Sequence, residues 1–422
     1  MCSSDLRVPY FIIANRFLKD EMFKFIHSAD LHLGSPFAAW RKLRRESAEA
    51  LTLAPCAALD KLVDIAIAER VLFVLMAGDV FDSGTPSLYT EGRLRSALAK
   101  LGKAGIRAFI ALGNHDCGAQ LTELPANTVL FSGERAEAFE VKIDGKVVAT
   151  VAGISHAAIA EKRDLSPQVE SLLSAASGFR IGVLHANVDG DPGHEPYAPV
   201  ALETLRRGSA DYWALGHIHK RRILCERPFA AYSGSPQGRS VNEPGARGGF
   251  LVEIGDDAKV KCTELNVQSV RFETLTLDEL ADVATLPALT RRFAEALPKY
   301  DGALCLRLVL GSGTPLNARL RSAGQAELAD LFSSVLESRL PGAILESGVV
   351  RTTLPVSPAR REGLAAEVAA VRGEVDFEKL LAELPFAASE RVAFSGEELS
   401  EIAAAAEDLL LDGLSGDTGG LK

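Results

Sequence analysis

The chain runs to 422 residues, room for two or three domains. Its 47% hydrophobic and 24% charged content excludes a disordered chain, a collagen-like chain and a coiled-coil rod. The net charge of −10 is uneven: residues 22–268 carry 28 basic and 29 acidic side chains, residues 269–422 carry 15 and 24, so a general nucleic-acid coat is excluded but a local basic groove is not.

Residues 1–21 differ in character from the rest of the chain and read as a disordered extension ahead of Met22. From Phe23 to Glu253, short apolar runs alternate with helical periodicity. Strands are expected at Phe23–His27, Val71–Ala77, Ala108–Leu112, Ile181–Leu184 and Tyr212–Leu215, and helices at Ala57–Arg70 and Gly92–Lys103. Ala138–Ile143 and Val147–Gly153 flank Asp144-Gly145, a hairpin turn signal. Further strands are expected at Ala230–Ser233 and Gly249–Ile254, which makes the sheets mixed rather than purely parallel. Beyond residue 268 the pattern becomes α+β: strands at Arg271–Leu277, Ala303–Leu310 and Gly348–Leu354, with helices at Leu277–Val283, Leu289–Leu297 and Arg319–Arg339. Acidic helices are expected at Arg360–Arg372, Phe377–Leu384 and Gly396–Leu411. The expected domains are therefore 22–268, 269–356 and 357–422. Cys2, Cys56, Cys117, Cys225, Cys262 and Cys305 show no paired spacing, which argues for reduced thiols and a cytoplasmic setting. No apolar run reaches the ~18 residues of a membrane span.

The chemistry lies in five short motifs, each after an expected strand. They are Asp30-x-His32, Gly78-Asp79-x-x-Asp82, Gly113-Asn114-His115-Asp116, His185, and Gly216-His217-x-His219. Ligands of open α/β folds collect beyond the carboxyl ends of strands, so one rim can gather all five. Carboxylates, a carboxamide and imidazoles without thiolates suit Mn, Fe or Zn in a reactive site rather than a structural zinc. The donors suffice for two ions, and Asp79 is the natural bridge because one carboxylate can neutralise both. Two ions about 3.5–4 Å apart can hold a hydroxide and clamp phosphoryl oxygens. Glycine ahead of the ligands lets the backbone turn sharply at the strand end.

Five stretches together resemble the calcineurin-like metallophosphoesterase superfamily. They are Ile26-His27-Ser28-Ala29-Asp30-Leu31-His32-Leu33-Gly34, Ala77-Gly78-Asp79-Val80-Phe81-Asp82, Gly113-Asn114-His115-Asp116, Asp211-Tyr212-Trp213-Ala214-Leu215-Gly216-His217-Ile218-His219 and Ser233-Gly234-Ser235-Pro236-Gln237-Gly238-Arg239. Within that superfamily the wording is similar to DNA-repair nucleases of the SbcD type and to their YhaO-like branch. The resemblance covers about residues 22–255. It implies a two-sheet αββα sandwich, a small α+β cap domain and C-terminal helices. It implies one metal on Asp30, His32, Asp79 and His219, and a second on Asp79, Asn114, His185 and His217, with Mn2+ the first expectation and Fe, Zn or Mg the alternatives. His115 would stay off the metals beside the scissile phosphate, and Asp82, where archaeal relatives carry a histidine, would orient or charge it. The implied activity is a DNA exonuclease, with endonuclease activity as an addition, that hydrolyses phosphodiesters with a metal-bound hydroxide. The rivals are a small-molecule phosphoesterase and a non-catalytic, metal-stabilised scaffold for an SMC-like ATPase. The resemblance also implies docking of the C-terminal helices on such an ATPase, and a homodimer. This sequence contains no GxxxxGK[ST] motif of its own.

The remaining candidates are weaker. Lys220-Arg221-Arg222 follows His219 directly, and Arg239 and Arg247 flank a Gly-rich loop, so Lys220, Arg221 and Arg239 are the expected substrate contacts. The basic run Arg41–Arg45 is as easily a solvated face. His27 reads as a core histidine or one behind the ligands, Asp116 as a group behind the ligands, His156 as structural or surface, and His194 as part of a loop that either lines the substrate groove or is plain surface. Cys117 lacks a base and is not expected to act as a nucleophile.

Overall fold

A computed structural model describes residues 23–35, 45–119, 121–191, 195–255, 258–300, 302–311 and 314–350. The extension at 1–21, the basic run at 41–44, His194 and the acidic helices at 360–411 lie outside these residues. The chain divides into two compact units, one ending at Phe272 and one beginning at Glu273.

In the first unit the elements follow one another as β1 (Phe23–Ser28), α1 (Arg45–Ala68), β2 (Phe73–Ala77), α2 (Leu88–Lys103), β3 (Arg107–Ala111), β4 (Thr128–Leu130), β5 (Glu137–Ile143), β6 (Lys146–Gly153), α3 (Ser166–Leu173), β7 (Phe179–His185), α4 (Leu202–Arg207), β8 (Tyr212–Gly216), β9 (Arg222–Glu226), β10 (Phe229–Tyr232), β11 (Phe250–Ile254) and β12 (Val260–Glu264). They build two six-stranded sheets, ordered β12-β11-β1-β2-β3-β4 and β5-β6-β7-β8-β10-β9. Each sheet has a parallel quartet, β1-β2-β3-β4 in one and β6-β7-β8-β10 in the other. Antiparallel strands flank both quartets.

Strands β2 and β8 are buried along their whole length, which is why they read as continuous apolar runs rather than as alternation. Phe25, Phe73, Phe109, Val151, Ile181, Val183, Tyr212 and Ala214 fill the space between the sheets. Phe25 stacks on Phe73 at 5.0 Å and meets Tyr212 of the other sheet edge-on at 5.2 Å. Helices α1 and α2 cover the outer face of the first sheet through residues such as Leu59, Leu62, Leu94 and Leu98. Helix α3 and the segment around Leu205 cover the second through Val169 and Leu173. The result is the expected αββα sandwich, with every parallel strand pointing its carboxyl end to the same rim of its sheet. The Asp144-Gly145 hairpin forms with both residues at positive φ, 48° and 83°, as a two-residue turn between right-twisted strands requires.

The chain enters the second unit through β13 (Val270–Leu277), followed by α5 (Leu286–Ala296), β14 (Ala303–Leu310), α6 (Asn317–Ser322), α7 (Gly324–Arg339) and β15 (Ile344–Val350). Its three strands form one sheet in the order β13-β14-β15. Leu304, Leu306, Leu308 and Leu310 pack with Phe293, Phe332 and Leu336.

Several elements depart from expectation. No helix forms over 277–283, where Glu279 turns to φ 58° and breaks the helical course. Leu280 and Val283 are nevertheless buried, so the apolar spacing that suggested a helix is a loop pegged into the core. The helix expected over 319–339 is split between α6 and α7 next to Gly324, a poor helix former. Strand β15 begins at Ile344, four residues before the expected start. Helix α1 runs through Pro55 rather than starting after it. The short β4, β9 and β12, and α3 and α4, carry too little periodicity to be read from the sequence. Among the described residues no helix is long and apolar enough to cross a membrane.

Candidate metal centre

Every motif sits where a strand of a parallel quartet ends. Asp30 and His32 follow β1, Asp79 and Asp82 follow β2, Asn114 and His115 follow β3, His185 closes β7, and His217 and His219 follow β8. The loops after β1 and β2 run side by side: Asp30 N–H donates to the Gly78 carbonyl and His32 N–H to the Asp79 carbonyl, both at 3.0 Å. Asp116 ties in the third loop, its carboxylate accepting from the backbone N–H groups of Gly113, Val80 and Phe81. Burial and the charge of Asp79 push the Asp116 carboxyl up to about 7.

Backbone strain collects here. Asp30, His32, Asp79 and His217 take φ of 52°, 45°, 46° and 102°, a region that non-glycine residues rarely occupy. Gly78 turns at φ 96°, and a Cβ there would lie 2.1 Å from His185 Nδ1. A Cβ on Gly113 would lie 2.2 Å from Asp79 Oδ1. Gly78→Ala is expected to cost about 1–3 kcal/mol of stability and to lower divalent-metal content, because His185 must move. Urea melts and metal analysis check this; wild-type values for both would refute the packing argument.

Among the described residues three overlapping sets of donors fall within 4.8 Å: Asp30-His32-His219, His32-Asp79-His115 and Asp30-Asp79-His185. Asp79 is buried, with Oδ1 accepting His115 N–H at 3.0 Å and Oδ2 lying 3.4 Å from His185 Nε2 and 3.8 Å from His32 Nε2. Burial works to raise its carboxyl, but the surrounding imidazoles hold it well below the usual carboxylate range. Asp30 is fully buried; Oδ1 accepts His217 N–H at 3.0 Å, while Oδ2 has no hydrogen-bond partner. A buried orphan carboxylate oxygen among imidazoles is a position that a cation fits. His185 turns Nδ1 to the Ala77 carbonyl at 3.1 Å and Nε2 to Asn114 Oδ1 at 3.0 Å. His32 and His219 face each other through their Nε2 atoms at 3.1 Å. Burial holds the His32 imidazole down to about 3, in the neutral form that binds metals.

The other expected residues fall in several places. The His217 ring lies 5.2 Å from that of His185, outside the three sets, with Nε2 directed to the Glu195 carbonyl at 2.8 Å. His115 is the exposed member of the cluster. Its Nδ1 meets the backbone carbonyl of Asp82 at 3.2 Å. The Asp82 carboxylate turns instead to His32 Nδ1 and to Arg239 Nη1, each 3.1 Å from Oδ1. Arg221 spends its guanidinium on the carbonyls of Leu265 and Ala246 and on Asn266, and Lys220 is exposed. Arg247 likewise donates to the His219 carbonyl. Glu243, which no sequence motif singles out, holds His219 Nδ1 at 2.7 Å. Its one visible signal is its position four residues after Arg239, which pairs with it.

His27 and His156 are structural histidines. His156 donates to the His185 carbonyl at 2.7 Å from a buried position. His27 is fully buried between Tyr212 Oη at 2.9 Å and the Leu215 carbonyl at 3.1 Å, so Nε2 carries the proton and Nδ1 accepts from the phenol. Burial drives the His27 imidazole down to about 3 against the opposing pull of the Leu215 carbonyl. Between that value and the ~6.5 of an unfolded histidine, the unfolded state binds a proton that the native state does not, so stability rises with pH. His27→Ala is expected to cost about 2–4 kcal/mol near neutral pH and to remove up to about 1.4 kcal/mol per pH unit of slope below pH 6. Urea melts at two pH values test this, and an unchanged slope would refute the assignment.

Comparison with known proteins agrees with this geometry. Residues 23–221 match the family model described as calcineurin-like phosphoesterase. The chain is 33% identical over 297 residues to the uncharacterized metallophosphoesterase YhaO of Bacillus subtilis, spanning 69% of this chain and 72% of that one. It is 26% identical over 300 residues to the SbcD component of the nuclease SbcCD of Escherichia coli, spanning 62% and 72%. It is 28% identical over 228 residues to the DNA double-strand break repair protein Mre11 of Thermoplasma acidophilum, spanning 51% and 59%. With donors of the right chemistry at one rim of a two-sheet sandwich, and 33% identity to YhaO over 297 residues, the protein belongs to the calcineurin-like metallophosphoesterase family of hydrolases.

Proposed function

We propose that the chain is a two-metal phosphodiesterase that degrades DNA, an exonuclease with Mn2+ as its working ion. The observation that carries the reading is the convergence of Asp30, His32, Asp79, His185 and His219 donors beside one exposed imidazole, His115. In this reading Asp30, His32, Asp79 and His219 hold one ion, and Asp79, Asn114, His185 and His217 the other. Two bound ions would neutralise the phosphate and lower the pKa of an attacking water. The protein's own part is to hold the ions close, present the phosphorus, and protonate the leaving oxygen or stabilise the transition state through His115. The DNA assignment draws on the SbcCD and Mre11 relatives, whose names carry nuclease and break-repair roles. On this reading the chain would also carry an α+β cap after the catalytic unit, work in the cytoplasm, pair with an SMC-like ATPase and form a homodimer.

The test is incubation of the purified chain with Mn2+ and end-labelled duplex DNA, beside a small chromogenic diester. Shortening of the DNA from its ends, abolished by chelation, is expected. Hydrolysis of the diester with intact DNA would replace the reading with a small-molecule phosphoesterase. Hydrolysis of neither would favour a metal-stabilised scaffold.

A further inference from the structure

Behind the ion that His32 and His219 would share on the two-metal reading, on which this inference rests, five side chains make one continuous line of contacts. His219 Nδ1 lies 2.7 Å from Glu243 Oε1. The other oxygen of Glu243 accepts the backbone N–H of Arg239 at 2.8 Å, and Arg239 Nε lies 3.5 Å from Glu243 Oε1. Arg239 Nη1 donates to Asp82 Oδ1 at 3.1 Å, and that same oxygen stands 3.1 Å from His32 Nδ1. The line closes where the two histidines face each other through Nε2. Asp82 and Glu243 come from loops beyond strands of different sheets, so the line also joins the two halves of the sandwich at its rim.

The chemistry of an imidazole gives this line a direction. A neutral ring carries one N–H, and an ionised carboxylate can only accept. The proton of His219 therefore stays on Nδ1 facing Glu243, and the Nε2 lone pair is aimed into the site. Arg239 is the common partner of both carboxylates. Its planar, forked guanidinium can serve two acids at once, which the single ammonium of lysine cannot do in the same geometry. Arg239 gives Nη1 to Asp82 and its backbone N–H to Glu243, while Nε has no hydrogen-bond partner among the described residues and Nη2 lies 3.4 Å from His219 Nδ1, so the guanidinium faces this line.

We propose that Glu243 and Arg239 are positioning residues for one of the two metal ions: Glu243 fixes the tautomer and orientation of His219, and Arg239 ties Glu243 to Asp82. Loss of Glu243 then weakens mainly one ion, because His185 bonds to Asn114 and to the Ala77 carbonyl rather than to this line, which meets the second ion's ligands at the shared Asp79, 3.8 Å from His32.

The experiment is a Mn2+ titration of the metal-stripped full-length chain, with free Mn2+ read by electron paramagnetic resonance. Thermal unfolding of each apoprotein is measured in parallel. The wild type is expected to bind two ions. Glu243→Ala is expected to weaken one of them about 10–100-fold and leave the other nearly unchanged, with the apoprotein midpoint near wild type. Glu243→Gln, whose amide oxygen can still accept the Nδ1 proton, is expected to recover most of that loss, and Arg239→Lys to fall between. Two unchanged ions in Glu243→Ala would overturn the proposal. So would parallel weakening of both ions with a lowered apoprotein midpoint and no recovery in Glu243→Gln. If Glu243→Ala does not fold, Glu243→Gln and Arg239→Lys decide: selective weakening of one ion in Arg239→Lys supports the proposal, and equal weakening of both in either variant overturns it. A wild type that binds no Mn2+ would sink the two-metal reading itself, an outcome separate from any difference among the variants.

Discussion

His115→Ala is expected to keep the metal content of the wild type and to lose about 10²–10⁴-fold in turnover. Its backbone and side chain have separable parts. The backbone N–H, which holds Asp79 Oδ1 at 3.0 Å, survives in the variant, so the Asp79 carboxylate keeps its place. The imidazole is exposed and anchored at Nδ1 by the Asp82 carbonyl, an arrangement suited to a group that meets substrate. Its main rival role is that of a metal ligand, since it lies close to both His32 and Asp79. The two roles part in one measurement. Metal analysis after desalting, with kcat for a diester, should show ions retained and rate lost. Ions lost in proportion to rate would make His115 a ligand and end its assignment to the leaving group.

The fold and the donors were legible in the sequence for one physical reason. Strands such as β2 and β8 are buried on both faces, so they stand out as unbroken apolar runs, and a polar motif at the end of such a run marks the rim. Asp30, Asp79 and His185 could thus be placed together from their motifs alone. Side-chain direction was not legible. Asp82 was expected to serve His115 through its carboxylate, but its backbone carbonyl makes that contact and its carboxylate turns to His32 and Arg239. Arg221 read as a substrate contact because it lies close after His219, yet loop carbonyls take up its guanidinium. Glu243 does not stand out in the sequence, because a glutamate four residues beyond an arginine is common in any loop, and only the fold brings it to His219. In the second unit Leu277, Leu280 and Val283 have helical spacing, but a single left-handed residue at Glu279 makes that stretch a loop.

Asp79→Asn carries the other large effect: loss of both ions and a fall in kcat/KM on the order of 10³-fold or more. The substitution is nearly isosteric, and the amide oxygen can still accept the N–H of His115. What disappears is one negative charge at a buried point between the His32 and His185 sides of the site. Asp79 belongs to two of the three donor sets, one on each side, together with His32 and with His185. Removing that charge raises the electrostatic cost of placing two dications close together, so neither ion is held as before. The effect should also be visible without any substrate. Ligand linkage raises wild-type stability by about 2.7 kcal/mol at a metal concentration 100 times Kd. The unfolding midpoint of the wild type should therefore climb with added Mn2+, while that of Asp79→Asn stays flat and near its value in chelator. Retention of both ions by Asp79→Asn would mean that the bridge lies elsewhere. Equal metal loss in Asp79→Asn and His115→Ala would erase the division between the residue that gathers the ions and the residue that acts on the phosphate.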